Sequence, residues 1–460
     1  MDKKNCIAAM DMGTGSVTIA VGRAGEDGRL ELVDVTSKPM RGITRGEITN
    51  RQQVSESVKE VVAEVEQKLG LSLSDLYTGT SGRHVRCAGH DYYVFVGERS
   101  DGEIRQEDMD ALREGMNNVQ AEDGLRIMDR IPQKYVVDGR DTVKDPVGRF
   151  GKKLETTFNF VLGSATLLDR LEKTLMALGV RSRKTYPNAI ASAEAVTLPE
   201  EREMGVAVVD LGAGTTDLCV WHDNAVRFVR GIPFGSGDID SDIHQQGILE
   251  KHVDGLKTTF GVAMADLVTA DKLIAIAGRS PREKQEISQR NLATIIEHRL
   301  REIIGFVVDE IGDSGYSGRL RGGIVLTGGG SRLVGIDALF REVTGLEVRL
   351  ALPDVCVADE SLPMAQDPSH ATAIGLLLKA IAEVAPARVV INGPAGGGTG
   401  ASTGAGAGIG NSGASGSGGN SDDEDDDDKP RERKKKEKRG GLKRWFEGFL
   451  SEPLDGDEDF

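Results

Sequence analysis

The sequence is short of aromatic residues, of cysteine and of positive charge, and each shortage narrows its chemistry. Aromatic side chains make up 4% of 460 residues, and only two of them are Trp, so a tryptophan in an unusual place carries weight. Four cysteines (Cys6, Cys87, Cys219 and Cys356) are scattered with no C-x-x-C spacing. That usage excludes a disulfide framework and fits a reducing compartment. The 57 Lys and Arg are outnumbered by 73 Asp and Glu, giving a net charge of −16. Nucleic acid is thereby excluded as a general partner, because neutralising phosphates needs a basic face. No run of about 18 apolar residues is present, so no helical span is expected. The apolar run in MDKKNCIAAMDMGTG is too short for a signal peptide, and a cytoplasmic protein, at most attached to a membrane surface, is expected. The seven histidines show no metal-ligand spacing. Neither a Ser-His-Asp set nor an HExxH motif is visible.

What the sequence does contain is a repeat. IAAMDMGTGSVTIAVG (7–22) resembles VAVVDLGAGTTDLCVW (206–221), with Asp11 on Asp210, Gly13 on Gly212 and Gly15 on Gly214. In the same alignment Ser16 meets Thr215, Val17 meets Thr216 and Thr18 meets Asp217. Each copy reads as an apolar strand, an Asp, a glycine turn rich in small hydroxyls, and a second apolar strand. Glycines at a tight turn let backbone N–H groups face an anion. Thr14, Ser16, Thr215 and Thr216 add hydroxyl donors, and Asp11 and Asp210 are placed to hold Mg²⁺ through water beside phosphates. One such hairpin would merely turn a sheet; two matched copies predict a grip on a triphosphate from both sides. No GK[ST] follows either copy, and strand rather than helix follows the glycines, so neither a P-loop nor a dinucleotide fingerprint is present. A third glycine cluster, TGGGSRLVGI (327–336), follows strand-like GGIVL. Its Gly328, Gly329 and Gly330 offer bare backbone to a nucleoside, and Arg332 is placed to stack on a base. The plain alternative is an ordinary turn from strand to helix.

Together with ATAIGLLLKA (371–380), these motifs resemble the actin–hexokinase–chaperone ATPase superfamily. Within it, LYTGTSGRHVRC (76–87), RIPQKYVVDGRDTVKDPVGRFGKKLE (130–155), PNAIASAEAV (187–196) and LTGGGSRLVGI (326–336) resemble the bacterial cell-division family FtsA. The resemblance covers roughly residues 5–386 and the C-terminal segment. It implies an α/β fold of duplicated actin-like (ribonuclease-H-like) domains around a nucleotide cleft, binding ATP and Mg²⁺. Residues 1–82 and 163–202 become domain 1A, 203–235 and 317–388 its duplicate 2A, 83–162 an inserted domain 1C, and 236–316 domain 2B. The insert contains a helical stretch (107–120) between strand-like runs (91–97 and 153–163). It has no phosphate loop or catalytic cluster, which favours assembly or binding. For 2B the resemblance implies docking of the acidic–apolar C-terminal peptide of FtsZ, which needs cations beside an apolar groove. Arg290 and Arg299 are the candidates, against the reading that they are solvated helix residues. Lys257 matches a family lysine near the adenine; Asp254 stands where relatives usually have Glu.

The resemblance also directs attention to Asn188. Aligning AIASAEAV with the family's P-I-A-S-A-E-A-V puts Asn188 where relatives often carry a Glu or Gln that orients the attacking water. Asn is one methylene shorter and no general base, so hydrolysis is expected to be slow. The alternative is that Asn188 caps the following helix.

Residues 389–440 read as a flexible linker, glycine-rich over 393–420, with an acidic run (422–428) that serves as a solvated spacer. Beyond it, Leu442, Trp445, Phe446, Phe449 and Leu450 fall at i, i+3, i+4, i+7 and i+8, one apolar stripe on a helix over 441–451. Lys443 and Arg444 lie off the stripe, and residues 429–450 carry ten Lys/Arg against three Glu. An interfacial helix on anionic lipid is expected, each basic residue contributing about 1 kcal/mol near such a surface. One short helix binds reversibly, and polymerisation multiplies the contacts. The alternative is a helix docked on the protein's own body.

These readings converge on an ATP-binding adaptor that forms homo-polymers on the inner membrane face at the division septum, tethers FtsZ there and recruits later division proteins. It would be at most a slow ATPase. The rivals are another actin-fold adaptor, such as a PilM-like pilus-assembly protein, and a small-molecule kinase. The basic terminus argues against the first. No positioned base beside an acceptor pocket is visible for the second.

Overall fold

The computed structural model describes residues 6–97, 101–278 and 284–384. The linker 389–440, the helix 441–451 and all its named side chains lie outside the described residues, as do the last residues of 317–388.

Two sheets are built to the same plan. In the first the strand order is Arg181–Pro187, Asp75–Thr80, Ile7–Met12, Ser16–Ala24, Leu30–Pro39. The second begins Val348–Leu350, Ile324–Thr327, Val206–Leu211, Thr216–His222, Ala225–Ile232. In both, three parallel strands lead into an antiparallel hairpin and a fifth strand. The duplication read from sixteen-residue motifs therefore extends over whole sheets. Val206–Leu211 is buried at every position, as expected of a central strand covered on both faces.

Residues 83–162 do not form a separate sheet. Arg86–Phe95, Lys153–Ser164, Leu125–Val137 and Asp141–Val143 continue the second sheet past Ala225–Ile232 to make nine strands. The junction is a single residue pair, Arg230 with Arg86. Helix Gln106–Asn117 closes a small core of its own there, around Ile104, Leu112, Met116 and Leu154. Residues 236–316 fold into helices Ser236–Gln245, Glu250–Phe260 and Gln289–Asp313 with a two-stranded ladder, Leu273–Ala277 against Lys284–Ser288. The long helix buries Leu292, Ile296, Leu300, Ile303, Val307 and Ile311 along one stripe. Among the described residues, no helix is long and apolar enough to cross a membrane.

Helices Asn188–Val196 and Ala371–Val384 pack against each other within the largest hydrophobic cluster, which also holds side chains of both sheets. Small residues make this possible. A Cβ on Gly375 would lie 1.7 Å from the Ala191 carbonyl oxygen, so the helices touch backbone to backbone. Gly375→Ala is expected to force them apart and cost about 1–3 kcal/mol, the usual range for overpacking. Urea denaturation checks this, and an unchanged midpoint would contradict the contact.

Candidate functional site

The two hairpins close with the same hydrogen bond. Gly13 N–H donates to the Ser16 carbonyl and Gly212 N–H to the Thr215 carbonyl, each at 2.9 Å. Asp11 lies opposite Thr18 and Asp210 opposite Asp217, one step from each turn. The tips meet: a Cβ on Gly214 would lie 2.4 Å from Thr14 Oγ1, so a side chain there would drive the loops apart. Beside them opens a small cavity of about 30 Å³, lined among others by Gly13, Thr14, Gly46, Gly79, Ser81, Asn188 and Thr215.

Three carboxylates gather at the strand ends. Asp210 and Asp217 are buried and Asp11 is half-buried, and none of them forms an ion pair among the described residues. Each is held by a neutral donor instead. Asn188 Nδ2 donates to Asp11 at 3.0 Å, Thr372 Oγ1 to Asp210 at 2.8 Å, and Ser81 Oγ to Asp217 at 2.8 Å. Loss of water, and then the nearby Asp210 charge, pushes the Asp11 carboxyl up to about 7. Burial likewise raises Asp210, and burial with the Asp210 charge holds Asp217 well above the ordinary range. Among the described residues, no three ligating side chains converge closely enough to hold a bare ion. The set fits Mg²⁺ that keeps its waters, the usual habit of that ion, with carboxylates accepting from the waters.

Asn188 does not cap its helix. Pro187 occupies the cap position and Asn188 is the first helical residue. Its amide nitrogen is spent on Asp11, while its Oδ1 is buried at the cavity with no partner. An acceptor fixed in this way suits a water.

The other residues expected from sequence divide. Thr14 and Thr215 line the cavity, but the Thr216 hydroxyl is given to the Phe234 carbonyl at 2.9 Å and anchors the hairpin to the next segment. Gly328–Gly330 sit at the end of Ile324–Thr327, where Gly328 N–H donates to the Pro368 carbonyl. Arg332 beside them is exposed and bound to Asp367 and to Ser369 Oγ. Lys257 pairs with Asp240 at 2.7 Å, and Asp254 is exposed one turn away. Arg299 clamps Asp242 with two bonds of 2.7 and 2.8 Å. Arg290 donates to the carbonyls of Val268 and Ala265, and among the described residues it forms no ion pair. Ser81, Asp217 and Thr372 were not singled out from sequence. The first two lay within view, Ser81 in LYTGTSG and Asp217 opposite Thr18 in the repeat.

Comparison with known proteins follows the same lines. The model of "Cell division protein FtsA" matches residues 207–375, and that of "SHS2 domain inserted in FTSA" matches 82–162. Cell division protein FtsA of Neisseria meningitidis is 30% identical over 377 residues, covering 81% of this chain and 89% of that protein. The chain belongs to the FtsA family of cell-division proteins. The Escherichia coli (strain K12) FtsA is 28% identical over 382 residues, 81% of this chain and 90% of the relative. Among solved structures, the PilM-PilN type IV pilus biogenesis complex matches with a TM-score of 0.56 at 16% identity, covering 82% of this chain and 98% of that one. That likeness concerns the fold, which is actin-like with the inserted domain.

The charge on Asp11 yields a prediction for this FtsA-family chain. A carboxyl whose folded pKa exceeds its unfolded value binds more protons when folded. Stability without cations therefore falls as pH rises from about 4 to about 7, and the penalty is complete above that. Asp11→Asn removes the charge. It should raise the melting temperature of the nucleotide-free protein by several degrees at about pH 8 and by less at about pH 5. A fall at both pH values, read by thermal denaturation, would contradict the unpaired-carboxylate description.

Proposed function

We propose that this protein binds Mg-ATP between its two hairpins, assembles with copies of itself on the inner face of the cytoplasmic membrane, and tethers FtsZ filaments there at the septum. The carrying observation is the pair of hairpins, closed by the same bond, facing each other over three carboxylates that lack a cationic partner among the described residues. Bound Mg²⁺ would supply the charge that stabilises phosphate oxygens. The chain's own part is positional. The N–H groups of Gly13 and Gly212 close the hairpins, and those of Thr14, Gly15, Ala213 and Gly214, with the hydroxyls of Thr14 and Thr215, face the phosphates. Asp11 and Asp210 take the waters of the ion, and Gly328–Gly330 with Arg332, Lys257 and Asp254 border the nucleoside.

Asn188 Oδ1 accepts a hydrogen bond from the attacking water and orients it, but Asn cannot remove its proton. Hydrolysis is therefore slow, and ATP acts chiefly as an assembly ligand that favours the polymer-competent state. The FtsZ tail docks on 236–316. Arg290, bonded to carbonyls alone, keeps its full charge for an acidic peptide, whereas Arg299 would have to share Asp242. Membership of the FtsA family favours this reading over a PilM-like one and over a sugar kinase.

Co-sedimentation with vesicles tests the reading. With Mg-ATP, the full chain should pellet with anionic but not neutral vesicles and carry the FtsZ peptide down with it. Deleting 439–460, or changing Trp445 and Phe446 to Ala, should abolish pelleting and leave nucleotide binding intact. Equal pelleting by the deletion would overturn the membrane assignment. In the same preparation, Asn188→Ala should lower single-turnover hydrolysis by about tenfold or more if it orients the water, and an unchanged rate would remove it from that role.

A further inference from the structure

Arg45 occupies a position that its backbone does not favour. Ile43–Thr44 and Glu47–Ile48 pair as a minimal ladder, leaving Arg45 and Gly46 as its two-residue turn. Both have positive φ, 50° and 80°. A turn of that kind favours Asn, Asp or Gly at its first position. A long side chain held in the left-handed region is sterically costly, and such residues concentrate where the side chain is needed.

The place that this turn selects lies between the two hairpin tips. Gly46 N–H donates to Thr14 Oγ1 at 3.3 Å, on the first tip. The Arg45 guanidinium crosses to the other lobe, 4.9 Å from the centre of the Phe234 ring and 3.4 Å from Asp238 Oδ1. Phe234 holds Thr216 through its carbonyl. The next residues sit on the second tip, where Ser236 N–H donates to the Gly212 carbonyl at 2.9 Å and Gly237 N–H to the Ala213 carbonyl at 2.7 Å. One side chain thus runs from the first phosphate loop to the segment seated on the second.

The charges around it call for a cation. No Lys or Arg is among the residues lining the cavity, whereas three carboxylates stand behind it. A triphosphate entering there brings more negative charge than one divalent ion offsets. Arg45, adjacent to cavity-lining Gly46, is held by the face of the Phe234 ring and by a long, partly exposed bond to Asp238, which also caps the Gly235 N–H at 2.9 Å. We propose that Arg45 reads the terminal phosphate. When a nucleoside triphosphate lies between the hairpins, its guanidinium leaves Asp238 for the γ-phosphate; with a diphosphate it returns to Asp238. Arginine suits the task because its fork matches phosphate oxygens and its charge is permanent. This rests on the nucleotide reading given above.

Titration of the full-length protein with Mg-ATP and Mg-ADP tests it. Arg45→Ala should weaken ATP binding by about tenfold or more while changing ADP binding by less than about threefold. Arg45→Lys should recover part of the loss. Asp238→Asn keeps a capping oxygen but removes the competing charge, and should leave ATP binding equal or tighter. Equal effects of Arg45→Ala on both nucleotides, or weaker ATP binding in Asp238→Asn, would overturn the proposal in favour of a simple interlobe contact. A wild-type protein that binds neither nucleotide would overturn the nucleotide reading itself and this proposal with it.

Discussion

Like charge enclosed at the joint between two sheets is the constraint around which this molecule is arranged. Asp11, Asp210 and Asp217 stand at the ends of the duplicated hairpins, away from bulk water and without a cationic partner among the described residues. Burial disfavours their ionised forms, and their mutual repulsion adds to it. The fold does not cancel this cost with lysines or arginines. It holds them with neutral donors instead, Asn188 on Asp11, Thr372 on Asp210 and Ser81 on Asp217. On the proposed reading this cost is offset by a ligand that carries positive charge in, and the glycine tips beside it are suited to the negative groups that would accompany such an ion.

The three donors tie the charges to distant parts of the chain. Asn188 starts one of the two helices packed backbone to backbone, and Thr372 lies in the first turn of the other. Ser81 follows strand Asp75–Thr80 and leads into the insert. Because Gly375 touches Ala191, neither helix can shift along the contact without moving the other. A change of charge at the hairpins therefore acts on both sheets and on the root of the insert together.

Much of this was legible in the sequence because glycine and aspartate in a tight turn have few alternative uses. The hairpin repeat announced itself in sixteen residues, and its alignment matched Asp11 with Asp210 and Thr18 with Asp217; the structure pairs Asp11 with Thr18 and Asp210 with Asp217 across the two hairpins. What stayed hidden depends on distances between segments far apart in the chain. The hydroxyl of Thr216 looks equivalent to that of Thr215 on paper, yet strand alternation turns one toward the cavity and the other toward Phe234. Arg299 reads as a surface charge until helix packing sets Asp242 beside it. The insert reads as an independent unit because nothing in residues 83–162 reveals that Arg86 will meet Arg230 on the edge of another sheet.

Asn188 shows how one side chain reconciles two of these demands. As the first residue of its helix it lies past the cap position, which Pro187 takes with its φ fixed by the ring. The amide is then free to face the carboxylates. Its nitrogen steadies Asp11, and that bond dictates which way the amide points, so the oxygen is left at the cavity wall. A carboxylate at 188 would add a fourth negative charge to the cluster and lose the donor to Asp11. Asparagine keeps the negative charges at three and gives up general-base capacity. On the proposed reading of the site, slow hydrolysis of a bound nucleotide follows from that exchange.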